Sequence, residues 1–309
     1  MKQLLKPLKH SVSRLLGRVG YSVRKLPPKP RKTSKVTKIM LGGKSIKMHS
    51  GNPLCFEYKN YPQLNAHIGS VAALVQRQFP GAWAVDVGAN VGDTLAILKG
   101  QASMPVICVE GDPICYELLE ENAQQFKEVF LVKTFLSDKP GQSKVVLDKA
   151  GWNTTLTPVK TESSGQNLQF RTLDEVVQAL SRQATIKLLK VDAEGYDMRI
   201  LRGAASILER HKPVINFELN RYNIEPLGES VGDFFDYLVS LEYLNFILND
   251  PLGGLICSIN ESNKAIWEDL YRYSYLGRPI YFDVWGFHKT DKNLFDEFLA
   301  QRRIGILKS

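Results

Sequence analysis

A glycine-rich segment flanked by two carboxylates is the first part of the sequence whose residue types could bind a reactive ligand. The string VDVGANVGDT has glycines at Gly88 and Gly92 with Asn90 between them, Asp86 before the turn and Asp93 after it. Glycines allow unusual dihedral angles and close approach of the backbone to a ligand. The spacing differs from the G-x-G-x-x-G of dinucleotide binders. Because carboxylates repel a pyrophosphate and attract a sulfonium, the segment favours S-adenosylmethionine over NAD.

Two later strand ends can complete such a cofactor site. Glu110 follows Gly92 by 18 positions at the end of the run PVICVEG, where an acidic residue can accept hydrogen bonds from ribose hydroxyls. Ser137 and Asp138 end the next strand, and we expect them near the adenine; a simple Ser-Asp turn is the competing interpretation. Asp112 is predicted to cap the following helix instead.

Three carboxylates in the second half of the chain are candidates for catalysis. Asp192 and Glu194 lie at a strand-to-helix turn in IKLLKVDAEGYDMRILRGA, and Glu218 lies near the end of PVINFELN. Since ligands bind at the carboxyl ends of such strands, we expect all three beside the glycine-rich segment. Asp192 or Glu218 can serve as a general base. Alternatively, the three can hold a divalent cation such as magnesium through oxygen ligands. Helix capping accounts for one of them and not for three.

The order of these motifs resembles the FkbM family of methyltransferases. The resemblance is carried by VDVGANVGDT, VEGDP, FLSD, RTLDEV and IKLLKVDAEGYDMRILRGA followed by NFEL, and it covers about residues 81–220. It implies methyl transfer from S-adenosylmethionine, usually to a hydroxyl of a sugar, glycan or polyketide-type acceptor. It also implies that Asp192 stands between the methionine end of the cofactor and the acceptor. Gly111 departs from the family pattern, which often has a bulkier residue there. The implied cofactor-site residues are Asp86, Gly88, Asn90, Gly92, Glu110 and Asp138.

The elements that position these residues alternate between strand and helix patterns. This order predicts an α/β fold with βαβ units and a mostly parallel sheet with helices on both faces. The family resemblance implies that this fold is a Rossmann-like class I methyltransferase fold with seven strands. The runs NFILND and IYFDVWGFH are predicted to form an antiparallel pair that closes the sheet edge. The run SKVVLDK is a further candidate strand beside the third one.

The charge of the chain is concentrated at its N-terminus. Residues 1–56 contain fourteen Lys or Arg and no Asp or Glu, so the rest of the chain has a balance of −6 despite a total of +8. We therefore expect no nucleic-acid partner. We predict a basic amphipathic segment and linker over residues 1–50 and a methyltransferase domain over 51–309, with its core at 81–220 and a C-terminal acceptor-side part at 221–309. The helical stripe within 1–26 suits peripheral contact with an anionic membrane.

The location and the competing functions follow from what the sequence contains. Four cysteines without metal-site or paired spacing favour a reducing, cytoplasmic environment, with membrane association at the cytoplasmic face as an option. An NAD-dependent oxidoreductase is the alternative enzyme class, but its glycine spacing is missing. A non-catalytic membrane or partner-binding module is the third hypothesis, and it leaves the acidic cofactor segment without a purpose.

Overall fold

The computed structural model describes residues 35–150, 153–158, 165–181, 183–260, 265–275 and 281–306. The strands are β1 (Val36–Leu41), β2 (Lys44–His49), β3 (Trp83–Val87), β4 (Val106–Glu110), β5 (Val129–Lys133), β6 (Phe135–Leu136), β7 (Gly141–Ala150), β8 (Asn153–Pro158), β9 (Gln166–Arg171), β10 (Ile186–Val191), β11 (Val214–Leu219), β12 (Tyr243–Asn249), β13 (Leu255–Asn260) and β14 (Phe282–His288). The helices are α1 (Leu54–Asn60), α2 (Ala66–Gln78), α3 (Asp93–Lys99), α4 (Pro113–Ala123), α5 (Leu173–Leu180), α6 (Asp197–Arg202), α7 (Ala205–His211), α8 (Arg221–Ile224), α9 (Val231–Ser240), α10 (Ala265–Tyr273) and α11 (Lys292–Ile306).

The main sheet has the strand order β13-β12-β14-β11-β10-β3-β4-β5. The five strands from β11 to β5 run parallel, and β14 pairs antiparallel with both β11 and β12. This order confirms the predicted Rossmann-like class I fold. The described sheet has eight strands, one more than the sequence predicts. The reversed strand β14 lies inside the sheet, and β13 is the antiparallel strand at the edge.

Helices cover both faces of the sheet because successive strand residues point to opposite sides. Val85, Ile107 and Leu189 belong to one core cluster with residues of α5, α6, α7 and α9. Ala84 and Leu188 belong to the other, with residues of α2, α3, α4 and α11. The central strands are therefore buried on both faces, which explains their nearly continuous apolar runs.

A hairpin of β1 and β2 packs on the domain from outside the sheet. Its buried Ile46 and Met48 share a cluster with Val91 and Ala96, and the Asn122 amide donates to the carbonyls of Lys47 and Val91. The sequence places these strands in an N-terminal segment that ends at residue 50, whereas the structure packs them on the domain. The amphipathic helix predicted within 1–26 lies outside the described residues and stays a prediction.

A second sheet of four strands, in the order β6-β9-β7-β8, follows β5 along the chain. The prediction that SKVVLDK extends the main sheet is wrong, because β7 pairs with β8 and β9 instead. The chain then enters α5 through a capping box in which Thr172 and Glu175 satisfy each other's backbone N–H groups. No helix in the described ranges is long and apolar enough to cross a membrane.

Candidate active site

A cavity of about 1330 Å³ opens at the carboxyl ends of the parallel strands. The lining residues follow the order of the strands across the sheet. Phe135, just after β5, comes first, followed by Glu110 of β4, then the loop after β3, then Asp192 after β10 and Glu218 of β11. Asp283 also lines this edge, because β14 runs in reverse and begins here opposite Glu218. The predicted convergence of the cofactor loop and the second-half carboxylates is therefore seen in the structure.

The loop after β3 packs closely against the ends of the two neighbouring strands, β4 and β10. Gly88 has φ +70°, and its N–H donates to the carbonyl of Val109 at 2.9 Å. A Cβ on Gly88 would lie 1.8 Å from the carbonyl oxygen of Asp192, so only glycine fits there. Gly88 and Asn90 line the cavity. Gly92 does not line it and instead precedes α3 with φ +84°.

Glu110 holds the loop from the neighbouring strand. Its two carboxylate oxygens accept from the backbone N–H groups of Asn90 at 2.8 Å and Asp112 at 2.7 Å. Burial raises the pKa of Glu110 to about 7, and these two hydrogen bonds oppose the rise. The Asn90 Oδ1 atom is buried without a hydrogen-bond partner among the described residues. Since buried acceptors are normally satisfied, this atom offers a place for a donor on a ligand.

The side of the cavity near β5 differs from the sequence prediction. Ser137 and Asp138 do not line the cavity; the Ser137 hydroxyl donates to Asp138 at 2.9 Å. The Ser137 carbonyl lies so close to Gly203 that a Cβ there would be 2.3 Å away. The chain has already left the main sheet at this point, which carries both residues away from the cavity. Phe135 lines the wall instead, and its ring lies 2.4 Å from where a Cβ of Gly111 would be.

Asp86 does not line the cavity either, although the sequence places it in the cofactor site. Its carboxylate is 1% exposed and lies 3.3 Å from the ammonium of Lys190. The same ammonium lies 3.4 Å from Asp192, whose carboxylate is 47% exposed. Burial raises the pKa of Asp86 to about 6, and Lys190 opposes the rise. Lys190 therefore links the buried carboxylate below the loop to the carboxylate that faces the cavity.

Two further carboxylates of the cavity, Glu194 and Glu218, are held by separate partners. Glu194 accepts from the Asn223 amide at 2.9 Å, and Glu218 accepts from the Asn220 amide at 3.1 Å. Burial, followed by the negative charge of Asp192, raises the pKa of Glu218 well above its usual range. Among the described residues, no group of three or more His, Cys, Asp or Glu could hold a metal ion. The magnesium site considered at Asp192, Glu194 and Glu218 is therefore not supported.

Asp197 is a buried carboxylate that the sequence prediction misses. Its oxygens accept from the N–H groups of Ala193, Gly195 and Glu218 at 3.1–3.3 Å. These bonds tie the turn after β10 to β11, and thereby place Asp192 relative to Glu218. Its position at the start of α6 suggests an ordinary helix-terminus residue, so its bond across to β11 is not visible in the sequence.

Residues 52–65, which include α1, close one side of the cavity. The buried Tyr58 hydroxyl donates to Asp93 at 2.7 Å and accepts from the Asn65 amide at 3.1 Å. Asp93 therefore connects this segment to the loop after β3. The sequence gives no strong signal for the contact, because the two residues are 35 positions apart.

The buried carboxylates predict an unusual dependence of stability on pH. Burial, as the first cause, raises the pKa of Asp197 to about 7 and that of Asp283 to about 8, against about 4 in an unfolded chain. A raised pKa means that the folded state binds more protons, so stability falls as pH rises through the folded value. We expect a lower free energy of unfolding at pH 8 than at pH 7 in urea titrations.

The matched variants for this prediction are Asp283→Asn and Asp269→Asn. Asp283→Asn should reduce the loss of stability between pH 7 and pH 8, because its titration is removed. Asp269 is exposed on α10, so Asp269→Asn should leave the loss unchanged. Equal pH dependence in the parent and Asp283→Asn would contradict the assignment.

Comparisons with known proteins agree with these motifs. The family model described as "Methyltransferase FkbM domain" matches residues 86–248, which is just over half of the chain and extends from the glycine-rich loop to β12. No curated protein matches.

Solved structures with a similar arrangement are distant in sequence. A methyltransferase FkbM from Methylobacillus flagellatus KT is 14% identical with a TM-score of 0.41, over 67% of this chain and 44% of that one. This chain therefore corresponds to less than half of that protein's length. A precorrin-6y C5,15-methyltransferase from Geobacter metallireducens GS-15 is 10% identical with a TM-score of 0.39, over 72% and 87%. The plantazolicin methyltransferase BpumL, solved with SAH, is 12% identical with a TM-score of 0.38, over 77% and 90%.

The match to the family model begins at the aspartate before the glycine-rich loop and includes Glu110, Asp192 and Glu218. These are the residues that the fold brings to one edge of the sheet. The chain belongs to the FkbM family of methyltransferases.

Proposed function

We propose that this protein transfers a methyl group from S-adenosylmethionine to a hydroxyl oxygen of an uncharged or cationic saccharide, glycan or related metabolite. The observation that carries the proposal is the shared cavity, in which the glycine-rich loop and the acceptor-side carboxylates lie next to each other. Its volume of about 1330 Å³ exceeds the roughly 300–1,000 Å³ of a usual small-molecule pocket. It therefore has room for a cofactor and an acceptor together.

The residues on the β4 and β5 side fit the adenosine half of this cofactor. The Glu110 carboxylate lies at the end of β4, where it can accept hydrogen bonds from ribose hydroxyls, and Phe135 offers a ring beside it. The unsatisfied Asn90 Oδ1 offers an acceptor within the loop. On the other side of the loop, Asp93 and Asp192 supply the negative charge that a sulfonium and an amino group require.

The chain's own residues account for the remaining chemistry. When bound, S-adenosylmethionine supplies an electrophilic methyl group. The cofactor's sulfur keeps the electron pair of the broken sulfur–carbon bond. The cavity walls align the acceptor oxygen with that methyl carbon, and such positioning provides much of the acceleration. Asp192 accepts the hydroxyl proton as the new oxygen–carbon bond forms. Its ion pair with Lys190 and its turn held by Asp197 fix its position.

The charge of the cavity supports the restriction to acceptors without phosphate or carboxylate groups. Nine of the lining residues are Asp or Glu, and Lys190 is the single Lys or Arg among those in the described ranges. That lysine is already paired with two aspartates. An anionic acceptor would therefore meet repulsion from those carboxylates that are ionised, without a free cation to compensate for it.

The outer wall of the cavity is apolar. Leu252, Ile256 and Tyr273 line it and are 39%, 42% and 54% exposed, and Leu270 also lines the cavity. Apolar and aromatic surface of this kind can pack on the faces of sugar rings or on an apolar group attached to a sugar. This wall supports a saccharide-type acceptor.

A labelling experiment tests the proposed reaction. The protein is incubated with methyl-tritiated S-adenosylmethionine and extracts of glycans and lipid-linked saccharides, separated by anion exchange into unretained and retained pools. We expect label in the unretained pool, in a form stable to mild alkali, as a methyl ether is. Label only in the retained pool, or label released as an ester by alkali, would refute the proposal. Heat-inactivated protein serves as the control.

Phe135 and Gly111 allow a test of the adenine side. Stacking of a base on an aromatic ring contributes about 1–3 kcal/mol, so Phe135→Ala should weaken binding of S-adenosylhomocysteine by roughly 10-fold or more. Gly111→Leu alone should also weaken binding, since its side chain collides with the Phe135 ring. The double variant should bind better than either single variant, because the leucine then fills the vacated space. Additive losses, measured by calorimetry, would show that the two positions do not share one contact.

The remaining parts of the proposal concern location. The basic helical stripe supports peripheral membrane contact through residues 1–26, and the cysteine spacing supports a cytoplasmic location. The alternative of an NAD-dependent oxidoreductase has no support from the site, where acidic residues, and no free Lys or Arg in the described ranges, line the cavity beside the loop.

A further inference from the structure

We infer that Lys190 determines how strongly the cofactor site distinguishes the cationic methyl donor from its neutral product. The inference rests on the proposed function. Its basis is a buried ammonium placed between a carboxylate below the cofactor loop and a carboxylate inside the cavity, at 3.3 Å and 3.4 Å.

Burial of Lys190 requires an explanation, because an unpaired charge in a protein interior is costly. Lys190 lies on β10 between Asp86 of β3 and Asn216 of β11 in the sheet register, and its side chain is 8% exposed. The negative charges of Asp86 and Asp192 raise the pKa of Lys190 above its usual value, although burial acts to lower it. Lys190 therefore carries a permanent positive charge in the proposed binding site of the cationic cofactor.

The location of that charge follows from the strand order. Ribose recognition at Glu110 places the adenosine on the β4 and β5 side, so the methionine end extends toward β10. Lys190, Asp93 and Asp192 line the cavity on that side. Lys190 therefore opposes part of the attraction that the aspartates exert on a sulfonium. It has no such effect on the uncharged thioether of the product.

The functional consequence concerns both the binding of the cationic donor and the loss of positive charge from its sulfur during transfer. Without Lys190, Asp93 and Asp192 would hold the cationic donor tightly and would resist the loss of its charge during transfer. With Lys190 present, donor and product have more similar affinities, and the loss of positive charge from sulfur is favoured. Binding energy that is stronger in the ground state than in the transition state does not accelerate a reaction. Lys190 therefore limits how strongly the site binds the donor in the ground state.

The test compares dissociation constants of S-adenosylmethionine and S-adenosylhomocysteine by calorimetry at pH 8, without any acceptor. We expect Lys190→Met to increase the preference for S-adenosylmethionine by on the order of 10-fold. Asp192→Asn should change the preference in the opposite direction. Lys190→Arg retains the charge and should resemble the parent. Opposite shifts from two neighbouring substitutions are not the result of general damage to the fold.

Two further variants serve as matched controls. Lys187→Met removes a positive charge from the same strand, where Lys187 contacts the Phe79 ring outside the cavity, and should leave the preference unchanged. Asp86→Asn combined with Lys190→Met removes both buried charges, so this double variant should fold where the single Lys190 variant fails. Because Asp86 does not line the cavity, the double variant should also increase the preference for S-adenosylmethionine, and a parent-like preference would contradict the inference.

The outcomes separate this inference from the proposed function. If the parent binds neither compound, the proposed function is wrong and the inference fails with it. If both compounds bind but Lys190→Met, or the Asp192→Asn variant, leaves their affinity ratio unchanged, the inference is wrong and the proposed function stands.

Discussion

Gly88→Ala should remove most cofactor binding. Alanine at this position would have to adopt φ +70° and would place its Cβ 1.8 Å from the Asp192 carbonyl oxygen. That oxygen belongs to the backbone, so the loop itself must move away. Overpacking of this kind costs about 1–3 kcal/mol, which corresponds to a loss of affinity for S-adenosylmethionine of roughly 10- to 100-fold. Calorimetric titration of the variant measures the loss.

Gly228→Ala is the matched control for this prediction. Gly228 has φ +68°, but a Cβ there would meet nothing within 4 Å. Both substitutions therefore carry the same conformational cost of about 1–2 kcal/mol, and only Gly88→Ala adds the collision beside the cavity. Parent-like affinity in Gly88→Ala, or an equal loss in both variants, would show that the loop does not form the cofactor site.

Asp192→Asn should abolish methyl transfer while the protein still binds S-adenosylhomocysteine. The substitution preserves the shape of the side chain but removes its ability to accept the hydroxyl proton. General-base catalysis contributes about 10²- to 10⁴-fold, so labelled methyl transfer into the unretained extract pool should fall by roughly that factor. Product affinity should be kept, because the product's sulfur has no positive charge for Asp192 to attract.

Asp138→Asn provides the comparison for this second prediction. The sequence places Asp138 in the cofactor site, whereas the structure places it away from the cavity. We expect Asp138→Asn to transfer methyl groups at the rate of the parent. Normal transfer by Asp192→Asn would mean that another group removes the proton, with Glu218 as the next candidate.

The convergence of Gly88, Glu110, Asp192 and Glu218 can be predicted from the sequence, because all four lie at ends of strands that the βαβ order makes parallel. The same argument fails for Ser137 and Asp138. After Lys133 the chain leaves the main sheet, and β6 pairs with β9 instead. That change of sheet depends on pairing between segments about 35 residues apart, which local pattern does not reveal.

Charged residues inside apolar runs are the second class that the sequence alone leaves unexplained. Lys190 stands in the run LLKV, and a lysine in a strand buried on both faces requires a counter-charge. The need for a counter-charge can be inferred from the sequence, but the partner of Lys190, Asp86, is over 100 positions away. Asp283 enters the site only through the reversed β14, whose register opposite Glu218 is a tertiary property.

Calorimetric titration of the 309-residue protein with S-adenosylmethionine, S-adenosylhomocysteine and NAD tests the central claim most directly. The structure predicts saturable binding of the first two at one site per chain, with no binding of NAD. Binding of NAD alone, or no binding of S-adenosylmethionine and S-adenosylhomocysteine, would contradict the assignment of this cavity as a methyltransferase site.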